Sequence, residues 1–383
     1  MNHLSWSNAL RKRKEEPVKF SINQSELQDA LAVVLKGIAT RSTLPILSGI
    51  YLDAHNDNLT LQATDLELSI QFTIPALVEE EGRSVFPGKL FFDIVKNLPD
   101  AAVHVETGED SAVITCDASS FSIKTLDAED FPGFPHVDTQ QAISIPFSQF
   151  SSMVKRVARV VSKDESRAIL TGVLITFEGE TLKMVATDSY RLAITEAQLG
   201  EPAAEGFQAV ISGSFLQELA SLTRTDDPLT IALAENQIVV TYHDTVFINR
   251  RIEGNFPNYR QLLPDSYATR VRLNVRHLVS GVKRTSILGQ QSSPVKFAID
   301  VESQTVQLSA AAQDVGSAQE TLACQGEGEN VEIAFNYAYV LDGLGSVNTD
   351  DVFLEVQSGM KPGIFKAGEG ENFLYLVMPV RIS

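Results

Sequence analysis

The sequence predicts an α+β protein of three repeated domains, each with two helices packed on antiparallel sheets. Three observations carry that reading. The phrase "LQATDLELSI" at 61–70 returns as "MVATDSYRLAI" at 184–194, which sets Asp65 over Asp188 at an offset of 123 residues. With that offset applied, the order strand, helix, strands, helix, strands is met three times along the chain. The closing stretch "SFSIKTLDAEDFPGFP" also matches "VFINRRIEGNFPNYRQLLP", with Phe131-Pro132 over Phe256-Pro257.

Each repeat opens with a short strand and a helical pattern: "VKFSI" then "NQSELQDALAVVLKGIA", "AISI" then "PFSQFSSMVKRVARVV", "RVRLN" then "VRHLVSGVKRTSIL". Alternating apolar and polar residues around Asn, Gly or Ser turns then predict paired strands. These are "LPILSGIYLDAHNDNLTLQATDLELSI", "ILTGVLITFEGETLKMVATDSYRLAI" and "SSPVKFAIDVESQTVQLSAAAQDVGSAQE". Second helices follow at "GKLFFDIVKNLPD", "GSFLQELASLTR" and "NYAYVLDGLGSV", each starting on small or polar residues suited to a helix start. The third repeat ends at "FLYLVMPVRIS". The domains are expected at 18–137, 142–265 and 269–383. Residues 1–17, with Arg11 to Lys14 against Glu15 and Glu16, form an N-terminal extension expected to be mobile. The linkers "HVDTQQ" and "DSYATR" are short, which favours domains held in fixed relation.

Composition narrows the function. A chain with 44% apolar and 21% charged residues is that of a folded soluble protein. It has no apolar run near the ~20 residues that span a bilayer and no secretion signal at its start, which points to the cytoplasm. Cys116 and Cys324 lie far apart without metal-ligand spacing, and are read as reduced thiols. The six histidines show no paired spacing, and neither a Walker A loop nor a Gly-x-Ser-x-Gly elbow occurs. No metal, cofactor or catalytic residue is therefore expected. Asp65 and Asp188 occupy equivalent strand ends and are read as carboxylates that accept backbone N–H bonds.

A net charge of −18 excludes simple coating of nucleic acid, yet the first helices carry cations locally. In the second repeat Phe150, Met153, Val154, Val157 and Val161 form an apolar stripe, while Ser152, Lys155, Arg156, Arg159 and Lys163 occupy the opposite face. The third repeat offers Arg276, Ser280, Lys283 and Arg284, and the first only Lys36 and nearby Arg41. A solvated face and a phosphate-binding face are equally compatible with this pattern.

The motifs "RSTLPIL", "ATDLELSI", "FPGKLFFDIVKNLP", "VATDSYRLAI", "GNFPNYRQLLP" and "LYLVMPVR" together resemble the bacterial DNA polymerase III beta subunit family, the sliding clamps, from Val18 to Arg381. The resemblance implies the DNA clamp fold, with two chains joined head to tail in a six-domain ring around double-stranded DNA. It implies a processivity factor without chemistry of its own, which tethers the replicative polymerase alpha subunit, the clamp loader and other proteins carrying a clamp-binding motif. Arg41 and Arg167 match family arginines near DNA, and helical spacing adds Lys155, Arg156, Arg159, Lys283 and Arg284. Partner peptides with Leu and Phe anchors are implied to enter a groove at Leu170, Thr187, Ser189, Tyr190, Arg191, Leu192, Pro257, Gln261, Leu262, Pro362, Leu376, Met378, Pro379, Val380 and Arg381. Ser189 and Gln261 replace a glycine and an arginine of some relatives. Phe121, Ile123, Ile287 and Leu288 match positions that meet across the family's subunit interface. A monomeric three-domain peptide-binding scaffold that does not encircle DNA stays open as the alternative.

Overall fold

A computed structural model describes residues 17–39, 43–135, 142–199, 208–222, 227–234, 236–288, 294–312 and 315–381. The first repeat contains β1 (Lys19–Asn23), α1 (Gln24–Val34), β2 (Gly49–His55), β3 (Asn58–Thr64), β4 (Leu68–Pro75), β5 (Leu77–Glu80), β6 (Gly82–Pro87), α2 (Gly88–Lys96), β7 (Ala102–Thr107), β8 (Ser111–Cys116) and β9 (Ser119–Lys124). The second contains β10 (Ala142–Pro146), α3 (Phe147–Val157), β11 (Gly172–Glu178), β12 (Thr181–Thr187), β13 (Arg191–Gln198), β14 (Gln208–Ser212), α4 (Gly213–Leu219), β15 (Pro228–Leu233), β16 (Gln237–Tyr242) and β17 (Thr245–Arg250). The third contains β18 (Thr269–Asn274), α5 (Val275–Thr285), β19 (Pro294–Asp300), β20 (Thr305–Ala312), β21 (Gly316–Ala323), β22 (Gln325–Gly328), β23 (Val331–Asn336), α6 (Tyr337–Leu344), β24 (Asp351–Val356), β25 (Gly363–Ala367) and β26 (Phe373–Val377). The repeated order read from the sequence is thus the observed one. Every strand pairing resolved is antiparallel, as an α+β chain of hairpins requires.

Helix starts follow local chemistry. Asn23, Ser212, Asn274 and Asn336 each accept a hydrogen bond from a first-turn backbone N–H, which satisfies donors the helix itself leaves open.

The strands and helices gather into two compact units. One comprises the described residues of 17–142 and 229–250. Within it β5-β1-β7-β8-β9 form one sheet, with β9 at its edge, and β15-β16-β17-β4-β3-β2-β6 lie side by side in another. The last three strands of the second repeat therefore join the first repeat's sheet through β17 and β4, where Phe247 faces Ile70. Helix α1 packs on β3, β4 and α2, burying Leu27, Leu31 and Val34 completely. Each such side chain contributes about 1.5–3 kcal/mol on burial.

The other unit comprises the described residues of 143–228 and 251–381. Its main sheet runs β14-β11-β12-β13-β26-β25-β24-β18-β22, and a smaller one runs β21-β20-β19-β23. The second and third repeats are fused where β13 pairs with β26, Arg191 opposite Val377 and Leu192 opposite Leu376. Beneath this seam α3 packs on β12 and β13 through Phe150, Met153, Val154 and Val157, the predicted stripe. Among the described residues no helix is long and apolar enough to cross a membrane.

Candidate functional site

The Ala-Thr-Asp phrase makes the same turn in both copies. Asp188 Oδ1 accepts from the backbone N–H groups of Tyr190 (2.9 Å) and Arg191 (3.0 Å), and Asp65 Oδ1 accepts from those of Glu67 (2.9 Å) and Leu68 (2.7 Å). The preceding threonine completes each turn: Thr187 Oγ1 accepts from Ser189 N–H (3.1 Å), and Thr64 Oγ1 from Leu66 N–H (3.0 Å). Ser189 (φ 81°) and Leu66 (φ 77°) both adopt the left-handed conformation that this tight return requires. The two aspartates are scaffold residues, as their equivalent positions predict.

The second copy differs in what the turn presents. Tyr190 stands 60% exposed, and its carbonyl accepts from Met378 N–H (2.9 Å) just past β26. On the outer face of the seam Leu192 and Leu376 join Leu174, Val185, Ile194, Val210, Tyr259 and Ile364 in one buried cluster. Leu170 and Thr187 are also buried. The segments that border this floor expose Tyr190, Leu262 (43%) and Met378 (38%). The segment carrying Pro257, Gln261 and Leu262 is held down by Phe256, Tyr259 and Leu263, which pack on the same cluster. Pro362 leads into β25, whose Gly363 faces Val377. Pro379 and Val380 are half-buried and Arg381 is exposed, with Val380 N–H bonded to Ala334 O at 2.8 Å.

Arg191 is the electrostatic centre. Its Nε donates to Asp188 Oδ2 (2.9 Å), Nη1 to Asp342 Oδ2 (2.5 Å) and Tyr375 Oη (3.4 Å), and Nη2 to Arg159 O (3.3 Å). The guanidinium also lies 4.5 Å from the Tyr339 ring centre, a cation–π contact, and Tyr339 stacks on Tyr190. Burial opposes the charge, but Tyr375, Asp342 and Asp188 together outweigh it and raise the Arg191 pKa. Burial likewise raises the Tyr375 pKa, against the pull of Arg191, so its hydroxyl stays protonated and donates to Tyr339 O at 2.8 Å. Tyr375 reaches α6 because Gly343 lacks a Cβ, which would overlap the tyrosine ring. Sequence reasoning missed Tyr339 and Asp342. Their spacing, i and i+3 on α6, puts both on one helix face, but only the packing of α6 shows that this face meets Arg191.

The basic residues divide by partner. Lys155, Arg159 and Lys163 are exposed, and Arg159 Nε donates to Lys155 O (3.1 Å). Arg156 turns inward: its Nη2 meets Glu371 Oε1 at 2.5 Å, and both side chains are about nine-tenths buried. Arg167 is exposed but bonds Asp164 (3.2 Å) and Ser189 Oγ (3.1 Å), which places it on the Ser189 turn. Arg284 pairs with Glu320, while Lys283 is exposed beside it. Arg41 lies outside the described residues.

Of the residues expected at a subunit interface, Phe121 is 40% and Ile287 76% exposed, Leu288 is half-buried, and Ile123 belongs to the core at 9%. Cys116 and Cys324 are both free thiols, and burial raises the pKa of each. Among the described residues no group of three or more His, Cys, Asp or Glu side chains is placed to hold a metal ion.

Residues 18–135, 144–258 and 260–381 match the models of the N-terminal, central and C-terminal domains of the DNA polymerase III beta subunit. The beta sliding clamp of Synechocystis sp. is 32% identical over 390 residues, covering 95% of this chain and 100% of the relative. That of Staphylococcus epidermidis is 32% identical over 375 residues, covering 95% and 99%. The crystal structure of the DNA polymerase sliding clamp from Bacillus subtilis superposes with a TM-score of 0.92 at 29% identity, covering 96% and 100%. A DnaN sliding clamp from Pseudomonas aeruginosa bound to griselimycin gives a TM-score of 0.90 at 27% identity, covering 95% and 100%.

Proposed function

This chain belongs to the DNA polymerase III beta subunit family, and from that premise we propose that two copies close head to tail into a ring around duplex DNA and tether the replicative polymerase to it. The ring makes and breaks no bond. Processivity comes from encirclement, so contacts to the backbone can stay weak and exchangeable, as sliding demands. The work is cytoplasmic, beside the bacterial chromosome. The exposed side chains of Lys155, Arg159 and Lys283 are offered to phosphates. Arg156, Arg167 and Arg284 reach them only by giving up a carboxylate, and Arg41 joins the set by resemblance.

The observation that carries the tethering is the exposure of Tyr190, Leu262 and Met378 on the segments that border the buried cluster of Leu192 and Leu376. Exposed apolar side chains gathered over a rigid floor suit a short peptide with Leu and Phe anchors, and methionine adapts to more than one of them. The polymerase alpha subunit, the clamp loader and other proteins with such a peptide would share this groove in turn. The Pseudomonas clamp bound to griselimycin supports a ligand-accepting surface in the family. Family membership does not favour a monomeric scaffold.

Replacing Tyr190 and Met378 together with alanine tests the groove, since both are exposed and neither supports the core. A fluorescent Leu/Phe-anchored peptide should bind the double variant at least about tenfold more weakly, the loss of one hot-spot contact or more. Equal affinity for variant and wild type would remove the assignment.

A further inference from the structure

Helix α6, like α1 and α4, has no basic residue of its own in its last turn. The missing cation comes from another repeat. Arg159, in the 3-10 turn Ala158–Val160 that follows α3, donates from Nη1 to Asp342 O at 3.3 Å. A Cβ at Gly345, just past α6, would lie 3.1 Å from the same Nη1. The guanidinium therefore sits at the negative end of the α6 dipole. The Arg159 carbonyl meanwhile accepts from Arg191 Nη2 (3.3 Å), and Arg191 Nη1 holds the Asp342 carboxylate (2.5 Å). Two arginines thus grip Asp342, an exposed one at its backbone and a buried one at its side chain.

We infer that Arg159 and Asp342 are positioning residues that couple phosphate contact on the α3 side to the peptide groove. The inference rests on the sliding-clamp reading above. A DNA phosphate that draws the Arg159 guanidinium off Asp342 O removes the cation from the end of α6. The last turn of α6 loosens, and with it the hold of Asp342 on Arg191 and of Tyr339 on the Tyr190 ring. Encircled DNA then weakens peptide binding, and by thermodynamic reciprocity the peptide weakens phosphate contact equally. A charge at a helix end corresponds to a change of about threefold.

The test titrates a fluorescein-labelled Leu/Phe-anchored peptide into the full-length protein, with and without saturating short duplex at low salt. Wild-type affinity should fall about threefold with DNA. Arg159→Ala should bind about threefold more weakly without DNA and ignore its addition, and Arg159→Lys should restore part of the response. Asp342→Asn, which weakens the grip on Arg191, should also bind more weakly and respond less. Peptide affinity that ignores bound DNA in the wild type, or an unchanged Arg159→Ala, overturns the coupling alone. A wild-type protein that binds no peptide overturns the groove reading together with it.

Discussion

Replacing Phe121 and Ile287 with aspartate should leave each chain folded and convert the proposed dimer to monomers. Both side chains are exposed in the single chain, so neither change opens its core. Phe121 lies on β9, the edge of its sheet, where unpaired N–H and C=O groups and an apolar side chain invite a second strand. A hot-spot truncation costs about 2 kcal/mol or more, so two per interface raise the dissociation constant on the order of a thousandfold. Sedimentation at micromolar concentration should then report the 41.9 kDa monomer with an unchanged far-ultraviolet circular dichroism spectrum. A double variant that stays dimeric beside a dimeric wild type would mean that the subunits meet elsewhere.

Arg191→Ala should be among the most destabilising single substitutions outside the apolar core. It strands Asp188, whose side chain is 14% exposed, beside Asp342 and the buried Tyr375 hydroxyl. Breaking a buried ion pair by removing one partner costs about 3–5 kcal/mol. Asp342 is half exposed and can recover solvation, so the loss should fall at the lower end, about 3 kcal/mol. Arg191→Lys keeps the charge but not the planar fork that serves Asp188, Asp342 and Tyr375 together, and should lie between the two. Urea unfolding followed by far-ultraviolet circular dichroism checks the order. An Arg191→Ala midpoint equal to wild type would show that the network contributes no stability.

Much of this architecture is legible in the sequence because the repeat multiplies each local signal. A single Ala-Thr-Asp could be chance, but two in register announce a strand end, and the two carboxylates do cap the same turn. The stripe from Phe150 to Val157 was legible for the same reason, since helical periodicity records which face is buried. What periodicity cannot record is where an exposed-face side chain finds its partner. Arg156 shares the helix face of Lys155 and Arg159, yet it turns to Glu371 across 215 residues of sequence. The seams are equally silent: nothing in the alternation of β4 or β13 says that β17 or β26 will extend it. Arg191 reads as one groove residue among fifteen until that seam and α6 surround it. Only then is it the point at which three elements meet.

Encirclement is a topological property, and one measurement addresses it. Protein loaded onto nicked circular DNA should stay with the circle through gel filtration at high salt, where phosphate contacts are screened, and should be released when one cut linearises the circle. Equal loss from circular and linear DNA, or loss from the circle with salt alone, would contradict encirclement.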